Sequence, residues 1–114
     1  MQDSKGGKHD VTLTDRDWRQ FIRLREVARE RFAEETLARA LKLGLDESVS
    51  LATRQARLFA LVSERRHEMD ALFGDFRRST SSLRLHIMVH HGLIRKEELE
   101  ELSLELRRTV SAAN

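Results

Sequence analysis

The sequence predicts an all-α protein, built as a long antiparallel αα-hairpin followed by a short C-terminal helical pair. Strong helix formers such as Ala, Leu, Glu and Arg dominate the 114 residues, β-branched residues are scarce and Pro is absent. Apolar residues recur at helical spacing through two long segments that a short turn separates. Ser/Thr-rich and Gly-containing breaks then mark off two shorter segments. A chain of this length allows one domain.

We expect a single helical domain over residues 14–110. Residues 1–13 are polar, contain two adjacent glycines and lack any apolar period, which predicts a flexible N-terminal tail. Residues 111–114 are expected to form a frayed C-terminal tail.

The first predicted helix has a well-marked start. Thr14 is placed as the N-cap with Asp17 as its capping-box partner, and Leu13 and Trp18 are spaced for a hydrophobic staple. No helix breaker follows until Gly44, which is expected as the left-handed residue just beyond the helix. The apolar face of this helix is Trp18, Phe21, Ile22, Ala28, Phe32, Leu37, Ala40 and Leu41.

The second predicted helix begins after a short turn, with Asp46 or Ser48 as its N-cap. Gly74 weakens its last turn, so we expect it to end near Phe73 or to fray as far as Arg78. Apolar positions alternate in steps of three and four along it, which is the pattern of a helix-pairing face. That face is Ala52, Phe59, Val62, Arg66, Met69, Phe73 and Phe76.

Arg66 is the one charged residue on this apolar face. One interpretation is a side chain that extends its charge to solvent at a helix margin. The other is a buried charge that selects register or partner, paired with Glu30 or Glu34.

The Ser/Thr cluster at residues 79–82 marks a break and supplies N-cap residues for a third helix over residues 81–91. Gly92 is expected to end it in the left-handed conformation, with Leu93 as the following apolar contact. A fourth helix is predicted over residues 95–110, because four glutamates near its start and two arginines near its end complement the helix dipole.

The hairpin is too long for the two short helices to cover. Each long helix spans about 40 Å, and the short pair masks about half of that length. The remaining apolar face predicts a homodimer with a four-helix core, and a helix of a different protein is the alternative occupant. The predicted association face is Phe59, Val62, Arg66, Met69, Phe73 and Phe76.

Several classes of function lack sequence support. Without Cys there is no disulfide framework, thiolate metal site or cysteine nucleophile. Phosphate-binding glycine loops and nucleophile-elbow motifs are absent as well. We therefore expect a non-enzymatic protein without a cofactor. No apolar run approaches the ~20 residues of a membrane span, and no secretory signal is evident, which predicts a cytoplasmic location away from membranes.

Nucleic-acid binding is the first alternative function. The segment from Phe76 to Lys96 has no acidic residue and begins with adjacent arginines. Its candidate phosphate contacts are Arg77, Arg78, Arg84, Arg95 and Lys96. Two observations count against it: the helix after Gly92 opens with four glutamates, and no aromatic residue is free for base stacking. The net charge of only +2 is also low for a nucleic-acid binder.

Metal binding is the weaker alternative. His86 and His90 stand four residues apart, a spacing that lets two imidazoles on one helix face chelate a metal. A third ligand is not evident, and the Glu64-x-x-His67 pattern occurs only once, whereas di-iron bundles need it twice. The main prediction is therefore a helical interaction or regulatory protein that recognises a protein partner through a helix face.

Overall fold

A computed structural model describes residues 13–111 of the chain and shows four α-helices joined by turns. The α-helices are α1 (Asp15–Gly44), α2 (Leu51–Phe73), α3 (Ser81–His90) and α4 (Leu104–Ser111), and two short 3-10 helices cover Arg78–Thr80 and Lys96–Leu99. The all-α prediction is confirmed for these residues, which contain no strand. The predicted tails lie outside the described residues except for Leu13, which is buried, and Ser111, which ends α4.

The N-terminus of α1 is capped as predicted. The Thr14 hydroxyl accepts a hydrogen bond from the Asp17 amide at 3.1 Å, Leu13 is buried in the core, and Trp18 packs against that core. The Asp17 carboxylate does not complete a capping box, because it is buried and binds Ser103 instead.

The turn between α1 and α2 departs from prediction at both helix ends. Gly44 is the last residue of α1 rather than the residue beyond it, because the Leu45 amide still donates to the Leu41 carbonyl at 3.0 Å. The N-cap of α2 is Ser50, whose hydroxyl accepts from the Thr53 amide. Asp46, one of the two predicted caps, stabilises the turn itself by accepting from Ser48. Of the two predicted ends of α2, Phe73 is the observed one, and the helix does not continue to Arg78.

The face of α2 that packs against α1 is offset from the predicted apolar face. The buried residues of α2 are Leu61, Arg65, Leu72 and Phe73. Two stripes run side by side along this helix, and the hairpin buries the one that contains Leu61, Arg65 and Leu72. The other stripe, which carries Phe59, Val62 and Met69, remains exposed.

Of the two predictions for the segment after α3, one is confirmed and the other is wrong. Gly92 has φ +74° and forms the predicted Schellman end, with its amide donating to Val89 and the Leu93 amide to Met88. The predicted helix over residues 95–110 is instead a 3-10 turn followed by α4. Side chains from α1 stabilise this break, because Arg31 binds Glu98 in the turn and Asp17 binds Ser103 just before α4.

The core lies at the end of the hairpin remote from its loop. There α3 and α4 pack on α1 and α2 through Phe21, Phe32, Leu72, Leu85, Met88 and Leu106. Near the loop the hairpin stands alone, and Leu37, Leu41 and Phe59 are all more than 60% exposed. The part of the chain that the structure describes therefore leaves about half of the hairpin uncovered.

Candidate protein-interaction face

A groove of about 490 Å³ runs between the two long helices on one side of the hairpin. We call it the α1/α2 groove. Buried side chains form its floor and exposed side chains its two rims. The floor residues are Phe32, Arg65 and Phe73, and the rim residues are Arg29, Glu30, Ala33, Leu37, Val62, Arg66 and Met69.

The rims are largely apolar and accessible. Leu37 on α1 is 69% exposed, and Val62 and Met69 on α2 are close to half exposed. A second depression of about 400 Å³ shares Val62 and Arg66 with the groove and extends it to Phe59, which is 63% exposed. Single exposed apolar side chains are common on protein surfaces. A continuous groove lined by apolar side chains is instead typical of a surface that binds another chain.

Arg65 holds the floor of the groove in place. Arg65 is 4% exposed, and its guanidinium lies 3.7 Å from the centre of the Phe32 ring and donates to the Thr36 hydroxyl at 2.8 Å. Glu35 and Glu68 supply ion-pair contacts at 3.2 and 3.1 Å. The buried charge therefore has hydrogen-bond partners and an aromatic contact, which removes most of the cost of its burial.

The buried-charge interpretation of Arg66 is wrong for the single chain, because Arg65 is the buried arginine. Arg65 pairs with Glu35 on α1, whereas the interpretation made for Arg66 named Glu30 or Glu34. Arg66 is exposed on the α2 rim and forms no hydrogen bond or ion pair with any of residues 13–111.

The two last aromatic residues of the predicted association face serve the fold of the monomer. Phe73 is buried and meets Phe32 edge-on at 5.9 Å between ring centroids. Phe76 lies beyond α2, where it stacks on Trp18 at 5.5 Å and carries the Arg25 guanidinium 4.3 Å from its ring centre. The structure therefore brings together Phe59, Val62, Arg66 and Met69 on one exposed face and places Phe76 elsewhere.

Most arginines of the basic segment have partners within the chain. Arg77 binds Asp75 through two hydrogen bonds at 2.7 and 2.8 Å, and this pairing lowers the pKa of the Asp75 carboxyl well below its usual range. Arg78 binds Asp15 at 2.8 Å, and Arg84 donates to the Ala71 carbonyl. The other two candidate phosphate contacts, Arg95 and Lys96, are exposed.

His86 and His90 lie together, but the structure supplies no further metal ligand. Their ring centroids are 4.2 Å apart, and the His86 Nδ1 lies 2.8 Å from the Val110 carbonyl oxygen, so this nitrogen carries a proton. Within residues 13–111 no three His, Cys, Asp or Glu side chains are grouped to hold a metal ion. His67 is exposed, and its Nδ1 contacts the Ser63 carbonyl at 3.0 Å.

Two ion pairs that join separate segments of the chain were not predicted. One is formed by Arg65, which is not on the predicted apolar face of α2, and the other by Arg31. In the structure Arg31 forms a bidentate pair with Glu98, both contacts at 2.7 Å, and also donates to the Leu93 carbonyl at 2.8 Å. The sequence does contain one indication that Arg65 is buried. It lies between Leu61 and Leu72 at the helical spacing of the second apolar stripe.

Comparisons with known proteins give no relative, because no protein-family model, curated protein or solved structure matches the chain. None of the helices in residues 13–111 is long and apolar enough to cross a membrane.

Proposed function

We propose that this chain is a non-enzymatic, cytoplasmic interaction protein that pairs through the α1/α2 groove with the helices of a second chain. The observation that carries the proposal is the continuous apolar surface that Leu37, Val62, Met69 and Phe59 form along the exposed side of the hairpin. Burying a fully exposed side chain of this size contributes about 1.5–3 kcal/mol, and these four, which are about half to two-thirds exposed, should each contribute roughly half of that in each copy.

The occupant we propose is a second copy of this chain, so that the functional form is a homodimer with a four-helix core. The groove is lined by both hairpin helices, and each helix offers both apolar and charged groups. The α2 rim presents exposed Arg66 and the α1 rim presents exposed Arg29 and Glu30, so each copy offers charges of both signs to the other. A face with these properties is what a two-fold symmetric interface needs.

The nucleic-acid alternative has less support from the geometry. Arg77, Arg78 and Arg84 already donate to carboxylates or carbonyls of the chain, so a phosphate has to compete for them. The metal alternative rests on His86 and His90 alone, because no group of three His, Cys, Asp or Glu side chains among residues 13–111 is placed to hold a metal ion.

The experiment that tests the proposal compares the masses of charge-bearing variants by sedimentation velocity. Leu37→Glu and Val62→Glu each place a carboxylate in the proposed interface twice per dimer. We expect dissociation to be favoured about 100-fold or more, since each unpaired charge is desolvated on association. Because both side chains are exposed in the single chain, the helical circular dichroism signal should not change.

Leu104→Glu is the matched control. Leu104 is 53% exposed at the first position of α4, outside the groove, and its substitution should leave the mass unchanged. Equal masses for all three variants and the unmodified chain would contradict the proposed interface.

A further inference from the structure

We propose that the end of the hairpin next to its loop opens and closes independently of the core, and that association with a second copy of the chain holds it closed. We call this end the loop half, and it comprises residues 33–64. The inference rests on the proposed function, because the second copy acts by occupying the α1/α2 groove. It makes the order of the loop half depend on the concentration of the chain.

Burial along the hairpin is concentrated at the end remote from the loop. The five buried residues of α1 all lie at or before Phe32, and the four of α2 all lie at or after Leu61. Within the loop half Leu61 is therefore the one buried side chain. The loop half thus has almost no hydrophobic core of its own. Its partly buried apolar residues are Ala40, Leu43, Val49 and Leu58.

Polar contacts between α1 and α2 are also sparse near the loop. The ion pair between the two helices that lies nearest the loop joins Arg65 and Glu35 at 3.2 Å. Among the described residues 37–61, one hydrogen bond joins the helices, from the Arg54 guanidinium to the Gly44 carbonyl oxygen at 3.2 Å. This hydrogen bond is exposed, so water competes for both of its groups and it adds little to stability.

Helical segments without tertiary burial are only marginally stable in water. The loop half contains residues 33–44 of α1 and 51–64 of α2, and isolated helices shorter than ~12–15 residues are marginal. Regions with few buried apolar contacts open locally at a much lower cost than a core does. In the single chain, therefore, the loop half opens while α3, α4 and the rest of the hairpin stay folded.

The proposed interface lies largely on the loop half. Leu37, Phe59 and Val62 belong to it, and Met69 is the one of the four apolar interface residues that lies outside it. A second copy that covers these side chains binds the closed form of the loop half and not the open form. A ligand that binds one of two states raises the population of that state. Association and closure of the loop half are therefore linked, whichever way the two hairpins are oriented.

Hydrogen–deuterium exchange read by mass spectrometry tests this link. The samples are the chain when monomeric, the chain when about nine-tenths of it is dimeric, and Met69→Glu, which disrupts the proposed interface from outside the loop half. Because only the monomeric tenth can open, exchange of residues 37–60 should slow roughly 10-fold in the dimer. Exchange of residues 18–32 should be slow in every sample, because this part of α1 packs in the core. Leu104→Glu should behave as the unmodified chain, since Leu104 lies outside the groove.

Limited digestion with trypsin gives an independent readout, because cleavage requires an opened segment and the chain carries suitable sites. Arg39, Lys42 and Arg57 are exposed within the loop half, whereas Arg23 is exposed on the part of α1 that packs in the core. In the monomer and in Met69→Glu we expect cleavage at the loop-half sites to precede cleavage at Arg23. In the dimer the loop-half cuts should be roughly 10-fold slower, because cleavage tracks the population of the open form.

The outcomes separate this inference from the proposed function. Fast exchange and cleavage of the loop half in the monomer, with protection in the dimer, support the inference. A dimer whose loop half exchanges as fast as that of the monomer, or a monomer whose loop half exchanges as slowly as its core, overturns the inference and leaves the interaction face intact. A chain that is monomeric at every concentration overturns both.

Discussion

The carboxylate of Asp17 holds Ser103, which lies 86 residues further along the chain. It accepts hydrogen bonds from the Ser103 amide at 2.9 Å and hydroxyl at 2.6 Å, while the Ser103 hydroxyl in turn accepts from the Leu106 amide. One carboxylate therefore connects the first turn of α1 to the N-terminal cap of α4. This contact is central to the packing of the C-terminal segment on the hairpin.

Replacing Asp17 should destabilise the whole domain. Asp17 is 3% exposed and its two hydrogen bonds are charge-assisted, so we expect Asp17→Ala to lower the free energy of unfolding by about 2–3 kcal/mol. Urea unfolding followed by circular dichroism measures this loss. Asp15→Ala is the matched control from the same turn, and we expect a much smaller loss because its ion pair with Arg78 is open to solvent. Equal losses for the two variants would refute the special role of Asp17.

The adjacent arginines of α2 should differ sharply in their effect on stability. Arg65→Ala leaves Glu35, Glu68 and the Thr36 hydroxyl without their buried partner, and we expect a loss of about 2–4 kcal/mol. Arg66→Ala should change the stability of the monomer by less than about 0.5 kcal/mol, because the side chain is exposed. The urea midpoints of the two variants, measured at a concentration where the chain is monomeric, test whether Arg65 rather than Arg66 lies on the face of α2 that packs against α1. A larger loss of stability for Arg66→Ala than for Arg65→Ala would contradict that assignment.

The Arg31–Glu98 pair predicts a loss of stability in acid. Hydrogen bonds from Arg31, supported by the Arg95 amide, lower the pKa of Glu98 from 4.5 to about 2. A carboxyl with a lowered pKa in the folded state contributes its stability above the unfolded pKa, and the contribution disappears as the pH falls through the folded pKa. We therefore expect a decline of about 1–2 kcal/mol between pH 4.5 and pH 2, reduced by the partial exposure of the pair.

Glu98→Gln isolates that contribution. The variant should be less stable than the unmodified chain at neutral pH, and the difference between the two should shrink as the pH falls from 4.5 to 2. Thermal or urea unfolding at closely spaced pH values measures it. A difference that stays constant over this range would show that Glu98 does not titrate as the geometry implies.

Nucleic-acid binding should be weak or absent. Because Arg77, Arg78 and Arg84 have partners inside the chain, fluorescence anisotropy with labelled DNA duplex and single-stranded RNA at low salt should show no saturable binding. Binding that weakens steeply with salt, and further in an Arg95→Ala/Lys96→Ala variant, would instead support a phosphate-binding role for the basic segment.

Local signals in the sequence predicted the parts of the fold that local interactions determine. Thr14 caps α1 and Gly92 ends α3 as expected, because each requires only a few neighbouring residues. The choice of Ser50 over Asp46 as the cap of α2 depended on how the turn itself is hydrogen-bonded, and several Asp and Ser residues compete there.

Long-range contacts explain what the sequence pattern missed. The spacing of apolar residues in α2 is compatible with two neighbouring stripes. The packing of Leu61 and Arg65 against α1 decides which of the two is buried. Likewise, the break before α4 depends on Asp17 and Arg31, which lie more than 60 residues away from the residues they bind. The uncovered apolar half of the hairpin was inferred from helix length and is present in the structure, although its proposed occupant is still to be tested.

The most direct test of the central claim is the mass of the unmodified chain in solution over a wide concentration range, measured by multi-angle light scattering and sedimentation equilibrium. Self-association through the α1/α2 groove predicts a mass that rises toward twice the 13.3 kDa of one chain and then stays constant. A mass of one chain at every concentration would contradict the account, and the exposed groove would then lack the partner proposed for it.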